Sequence, residues 1–244
     1  MSNDMVLVGG QALAFWMARY KLRPDAAVIS NDGDALGSVR AAKGLAEALR
    51  ARLVVPDPKD LTSLVAQLRI PVQDGKVRNV DVLHLLYTTS GLKKSNEFTQ
   101  RVRNNAVTVR LDEDVEIRIM HPLDVLESRA HNAVGLLEQK GEHVVTQAQW
   151  GIQVARAAML RMAQDPAAED KRIGTHVQRI FRLWKSSVGQ RLWKEHGLCV
   201  LDALDEGLLT HRPELRQQLE RAADERARLP QPKPASRTER GRAS

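Results

Sequence analysis

Residues Ala106 to Met120 alternate apolar and polar: Val107, Val109 and Leu111, then Val115, Ile117 and Ile119, divided by the acidic turn Asp112-Glu113-Asp114. A period of two is the signature of a half-buried strand, so this segment reads as a hairpin. After His121-Pro122 the pattern changes for good. Val177, Ile180, Phe181, Trp184, Val188 and Leu192 recur at helical spacing, a stripe that reads as core. A chain that exhausts its strand pattern before the midpoint is predicted to be α+β, with a small mixed-sheet module followed by a helical C-terminal region.

Upstream of the hairpin, strand and helix signals alternate. Met5-Val6-Leu7-Val8 is a short apolar run ended by Gly9-Gly10, and Leu13, Trp16 and Met17 then mark a helix over 11–20. Val28-Ile29 leads into Ser30-Asn31-Asp32-Gly33-Asp34. Helical spacing resumes over 38–53, with Ser38 as a cap. Strands are predicted over 52–55, 64–70 and 77–86, with Asp74-Gly75 as a hairpin signal between the last two. The predicted divisions are 1–121, an α/β module; 122–229, a helical region; and 230–244, a Pro/Arg/Ser-rich disordered tail.

The chain has 244 residues, 43% hydrophobic and 27% charged, as in ordinary globular proteins. No apolar run is long enough for a membrane helix. Met1-Ser2-Asn3-Asp4 lacks the basic start of a signal peptide, and Cys199 is the single cysteine, so a cytoplasmic protein without disulfides or cysteine-held zinc is expected. Formal net charge is +7. Lys233, Arg237, Arg240 and Arg242 against Glu239 place three of those charges in the tail. The surplus permits a polyanionic partner without requiring one.

The chemistry is read from carboxylates. Asp32 and Asp34 are two positions apart, so an extended backbone puts them on one face. Asp81 lies in Val80-Asp81-Val82-Leu83, sharing a face with Asn79 and Leu83 and opposing Val80 and Val82. An aspartate in an apolar strand is costly unless paired, hydrogen-bonded or bound to metal. Paired hard oxygen donors suit Mg²⁺. The Gly9-Gly10 turn opens a helix, where phosphate meets backbone N–H groups. Against these stand plain alternatives: a turn at Asn31-Asp32-Gly33-Asp34, a water-facing edge for Asp81, and a simple tight turn at Gly9-Gly10. The P-loop, dinucleotide, zincin and α/β-hydrolase signatures are absent.

In this order the motifs resemble the nucleotidyltransferase superfamily, the polymerase-beta-like fold: a hydrophobic strand, Gly-Gly or Gly-Ser, a helix, Asp-x-Asp/Glu, and a third carboxylate on a later strand. Val6-Leu7-Val8-Gly9-Gly10-Gln11-Ala12-Leu13, Asp32-Gly33-Asp34 and Val80-Asp81-Val82-Leu83 look most like the minimal bacterial branch that includes abortive-infection type toxin transferases, where Gly-Gly-x-Ala-Leu, Ser-x-Asp-Ile-Asp-Phe and Val-Asp-Phe-Leu are common. The likeness covers roughly residues 5–140. It implies Mg²⁺ on Asp32, Asp34 and Asp81, an NTP as donor, and nucleotide contacts from Gly9, Gly10, Ser30, Arg129 and Lys140. The implied reaction transfers a nucleoside monophosphate to an acceptor such as tRNA or a protein, with an antitoxin-like protein partner. The sequence departs from the branch at Gly33 and Ala35, where apolar residues are usual, at Arg129, where lysine is common, and after Lys140, where Gln147 and Gln149 stand in place of an acidic motif.

The competing class is a protein of the same fold that has lost catalysis and binds RNA or a partner. A third reading makes residues 171–229, rich in Lys and Arg, a DNA-binding module, but no helix-turn-helix signature accompanies it. His121, a loop residue before Pro122, and His131 receive no role.

Overall fold

The strand β1 (Val6–Val8) passes into helix α1 (Gly9–Arg19) with no intervening loop. Gly9 makes this junction with φ of +67°, a left-handed conformation that a side chain disfavours. The structure, a computed structural model, describes residues 5–23, 32–57, 59–72, 76–113 and 115–230. Ser30, the Val28-Ile29 run, the Asp74-Gly75 turn and the tail from residue 231 lie outside these.

The chain continues through β2 (Gly33–Leu36), α2 (Val39–Leu49), β3 (Arg52–Val54), β4 (Leu64–Pro71), β5 (Val77–Leu83), α3 (Leu92–Asn105), β6 (Val107–Asp112) and β7 (Val115–Ile119). These strands form one seven-stranded mixed sheet in the order β3-β4-β5-β2-β1-β7-β6. β1 runs antiparallel to β2 and parallel to β7, while β2 runs parallel to β5. β5 is thus an interior strand, and Asp81 is not on an edge.

Alternation sends the sheet's apolar residues to two cores. On one face Val6, Val8, Leu36 and Ile119 pack with Leu13, Trp16 and Met17 of α1 and Phe98 and Val102 of α3. On the other, Ala35, Ala66, Leu68 and Val82 pack with Ala41, Ala42 and Ala46 of α2. The predicted Ser38 cap is present: its side chain accepts from the Ala41 amide at 3.2 Å.

The helices after the sheet are α4 (Pro122–Gly135), α5 (Leu137–Lys140), α6 (His143–Gln164), α7 (Asp170–Lys185), α8 (Ser187–His196), α9 (Leu208–His211) and α10 (Arg216–Ala227). Among the described residues no strand follows β7, and no helix is long and apolar enough to cross a membrane. By compactness the chain divides into Met1–Ala155 and Arg156–Ser244. In the first unit α4 packs on α1, and the Trp16 indole donates to the Met120 carbonyl at 2.8 Å. In the second, Ile173, Val177, Ile180, Trp184, Val188 and Leu192 are buried.

Two elements differ from the sequence expectation. The apolar stripe over 177–192 belongs to two helices rather than one, broken at Ser186, whose hydroxyl caps α8 by accepting from the Gly189 amide at 3.2 Å. Gly189 also abuts the Leu183 and Trp184 carbonyls too closely for any side chain, which fixes the tight corner. The whole of α3 carried no readable helical stripe.

Candidate functional site

The in-register partners of Asp34 are Val8 on β1 and Asp81 on β5. Residues opposite one another on neighbouring strands project to the same face, so the two carboxylates share one face of the sheet. Val80 and Val82 pack into the opposite core with α2, which fixes that side for Asp81. Asp81 is partly buried. The turn reading of this segment therefore fails at Asp34, which is a strand residue, and the water-facing edge fails at Asp81.

Gly9 lies directly against Asp34. A methyl group on its Cα would collide with the Asp34 carboxylate. That carboxylate consequently sits at the first residue of an 11-residue helix, where the dipole favours negative charge. Gly10 is the second residue of α1 and is buried. Asp32 is exposed, one residue ahead of β2.

Electrostatics tie the set together. Burial is the main influence on Asp34 and raises its pKa; Arg129 and Lys140 pull it down, and the like charges of Asp81 and Asp32 push it up again. All four charged residues singled out with Asp34 act on it, although they come from four separate stretches of chain. Lys140 is exposed at the end of α5. Arg129 is not the solvated helix cation that a lone basic residue usually is: it is 7% exposed in the middle of α4. Burial lowers its pKa to about 10, opposed by attraction to Asp34.

Sequence reasoning missed three participants. Gln147 of α6 accepts from an Arg129 guanidinium nitrogen at 2.9 Å, and Ser128 accepts from another at 3.1 Å. The residue standing where an acid was expected is thus Arg129's partner, and it is neutral. Asp34 is the charged group whose attraction acts on Arg129. The third participant is Gln67 of β4, whose side-chain amide donates to Asp81 Oδ1 at 2.9 Å while its carbonyl accepts from Arg69 Nε at 3.0 Å. Arg69 decides the orientation of the amide, and the amide holds one oxygen of Asp81. No sequence signal marks Gln67, because its role depends on a register the sequence does not state.

Among the described residues no group of three or more His, Cys, Asp or Glu side chains is placed to hold a metal. What is present is the pair Asp34 and Asp81. The like charge of Asp81 is one of the influences that raise the pKa of Asp34, a repulsion that a divalent cation relieves, and Mg²⁺ commonly takes one or two carboxylates with the remainder from water and phosphate. The residues fit such an ion as a pair, with Asp32 near enough to act on Asp34. His121 caps α4, its Nδ1 accepting from the Leu123 amide at 3.2 Å, and His131 Nδ1 accepts from the Thr89 amide at 3.3 Å. Both are structural. A cavity in the second unit, lined by Gln178, Gln217, Gln218, Glu220, Arg221 and Asp224, contains none of these residues. No protein-family model and no curated protein matches the chain.

Proposed function

We propose that the chain is a nucleotidyltransferase that moves a nucleoside monophosphate from an NTP to an acceptor hydroxyl. The observation that carries the reading is the in-register Asp34–Asp81 pair beside the left-handed Gly9 and within the field of the buried Arg129. Asp34 and Asp81, with Asp32 at the rim, would hold Mg²⁺, which would neutralise the triphosphate and polarise the phosphorus–oxygen bonds.

The side chains of this protein then have separable tasks. Gly9, lacking a Cβ, leaves Asp34 approachable at the start of α1. Arg129 and Lys140 attract and orient the triphosphate, and a buried guanidinium with neutral hydrogen-bond partners is strong in this role because little water screens it. Asp81, fixed through Oδ1 by Gln67, accepts the proton of the acceptor hydroxyl. The acceptor oxygen bonds to the α-phosphorus, the bond to the bridging oxygen breaks, and pyrophosphate leaves with the electron pair.

A second reading, a binding module of this architecture without catalysis, draws on the neutral Gln147 and on Asp32 lying outside β2. One assay separates the two. Pyrophosphate release should be measured with each NTP and Mg²⁺, with and without RNA and protein acceptors, for wild type, Asp34→Asn and Asp81→Asn. Turnover by wild type that falls at least about a hundredfold in both variants is expected of a transferase, since each variant removes charge that acts in the transition state. Equal turnover in all three defeats the proposal.

A further inference from the structure

The row that contains the two aspartates does not end with them. Val54, Gln67, Asp81 and Asp34 are successive in-register neighbours across β3, β4, β5 and β2, and the next row joins Arg52, Arg69 and Asn79. All project to one face, because Gln67 reaches both Asp81 and Arg69 while Leu53, Leu68 and Val80 pack into the core on the other side. The apolar core on this face takes no residue from β3 or β4. Arg52 and Arg69 are exposed, Val54, Gln67 and Asn79 partly so, and these strands give a partly exposed, mostly polar platform beside the carboxylates.

On that platform Arg52 and Arg69 are paired directly opposite one another. Like charges in facing positions of an antiparallel pair destabilise the sheet. Among the described residues neither guanidinium has a carboxylate partner; Arg69 donates from Nε to Gln67, and both arginines are exposed. An exposed pair of arginine forks matches phosphate oxygens. No aromatic side chain lies in either row, so bases have nothing to stack on, and recognition there would be of backbone rather than sequence.

We infer that the open face of β3–β5 seats a nucleic-acid strand, with phosphates on Arg52 and Arg69 and the strand end directed along the row toward Asp81. The inference rests on the transferase reading only for what happens at that end; the binding itself stands on the platform. Asp81 is a diagonal neighbour of Arg69, one strand across and two residues along, roughly 7–8 Å between Cα atoms. Phosphate on the arginines and an acceptor hydroxyl at Asp81 thus fall within one nucleotide of each other.

The test is fluorescence anisotropy of the full chain with a short labelled single-stranded RNA, the matching DNA, and poly-glutamate as the arm for an acidic protein, each titrated over a range of salt. Arg52→Ala/Arg69→Ala should weaken strand binding by about tenfold or more and reduce the salt slope by about 1.4, or about 0.7 for each lost phosphate contact on single strands. Arg52→Ala alone, which removes no described contact, should give about half that change in slope. A preference for RNA would add a 2′-hydroxyl contact, and equal affinity would mean phosphate contacts alone; both support the inference. It is overturned if the double variant binds with unchanged affinity and slope, if Arg172→Ala/Arg179→Ala on α7 causes the same loss, or if poly-glutamate binds in place of the strands. Wild type that binds strands through these arginines yet transfers nothing would leave the platform standing and remove the transferase reading.

Discussion

The carboxyl of Asp34 is where opposing demands on one residue can be measured. Its pKa in the fold stands above the ordinary value of 3.8 even with the attraction of Arg129 and Lys140 included, so the folded protein binds this proton more tightly than the unfolded chain. Its contribution to stability is therefore complete below about pH 3.8 and is lost as pH rises through the folded value. Asp34→Asn cannot ionise. It should melt with wild type in strong acid and gain on it as pH increases through that window, then hold a constant lead near neutrality, while nucleotide transfer is lost. Thermal melts across pH test this, and a lead that does not vary with pH would show that burial of the charge is not what Asp34 experiences. Gly9→Ala should act in the opposite sense. A left-handed φ costs a side chain about 1–2 kcal/mol, and the new methyl must also displace Asp34. The melting temperature should fall, and affinity for Mg²⁺ with nucleotide should fall with it; a variant with unaltered affinity would show that Asp34 tolerates displacement.

Elements record what alternation and spacing convey and what they cannot. The β6–β7 hairpin and the facing of Asp81 were legible because period two sorts side chains without further information. α3 was not, since Phe98 and Val102 are the buried apolar residues among its 14 and the other buried positions are Ser95 and Thr99. Those hydroxyls are satisfied by the chain before the helix: the Thr88 amide donates to Ser95 at 2.8 Å and the Leu86 amide to Thr99 at 2.9 Å. Hydrogen-bonded polar burial leaves no apolar stripe. At the site, the order of motifs brought Asp34, Asp81 and Arg129 forward, but Gln67 and Gln147 depend on partners that only the assembled sheet and helices supply. In β2, Gly33 departs from the apolar residue usual in the branch that the sequence resembles. A Cβ there would meet Val80 at 3.4 Å, an ordinary contact, with no left-handed φ to oppose it. Gly33→Ala should therefore stabilise the protein by about 0.4–1 kcal/mol through the unfolded chain, seen as a raised denaturant midpoint with unchanged slope. A lowered midpoint would show that β2 needs the absence of a side chain.

For the molecule as a whole, the two compact units give separate places to perturb. Trp184 is 2% exposed among the buried residues of α7 and α8, and Trp184→Ala should destabilise by about 3–5 kcal/mol. Hydrogen exchange should quicken over 170–196 far more than over β1, β2 and β5. Equal acceleration in both would show that the units unfold as one. The buried thiol of Cys199, pushed up to about 11 by desolvation, is too weak a nucleophile to confuse such measurements with oxidation.

Asp34 and Asp81 are 47 positions apart, on parallel strands joined through α2 and the β3–β4 hairpin. Asp34 meets Val8 by a pairing that spans only 26 positions, but its carboxylate partner arrives when the longer crossover has closed, and long closures are entropically late. A growing chain can thus carry the Gly9 junction and the first aspartate in place while the second carboxylate of the proposed cation site is still missing. On the proposed reading the carboxylate pair is a property of the finished sheet, completed when β5 enters between β2 and β4.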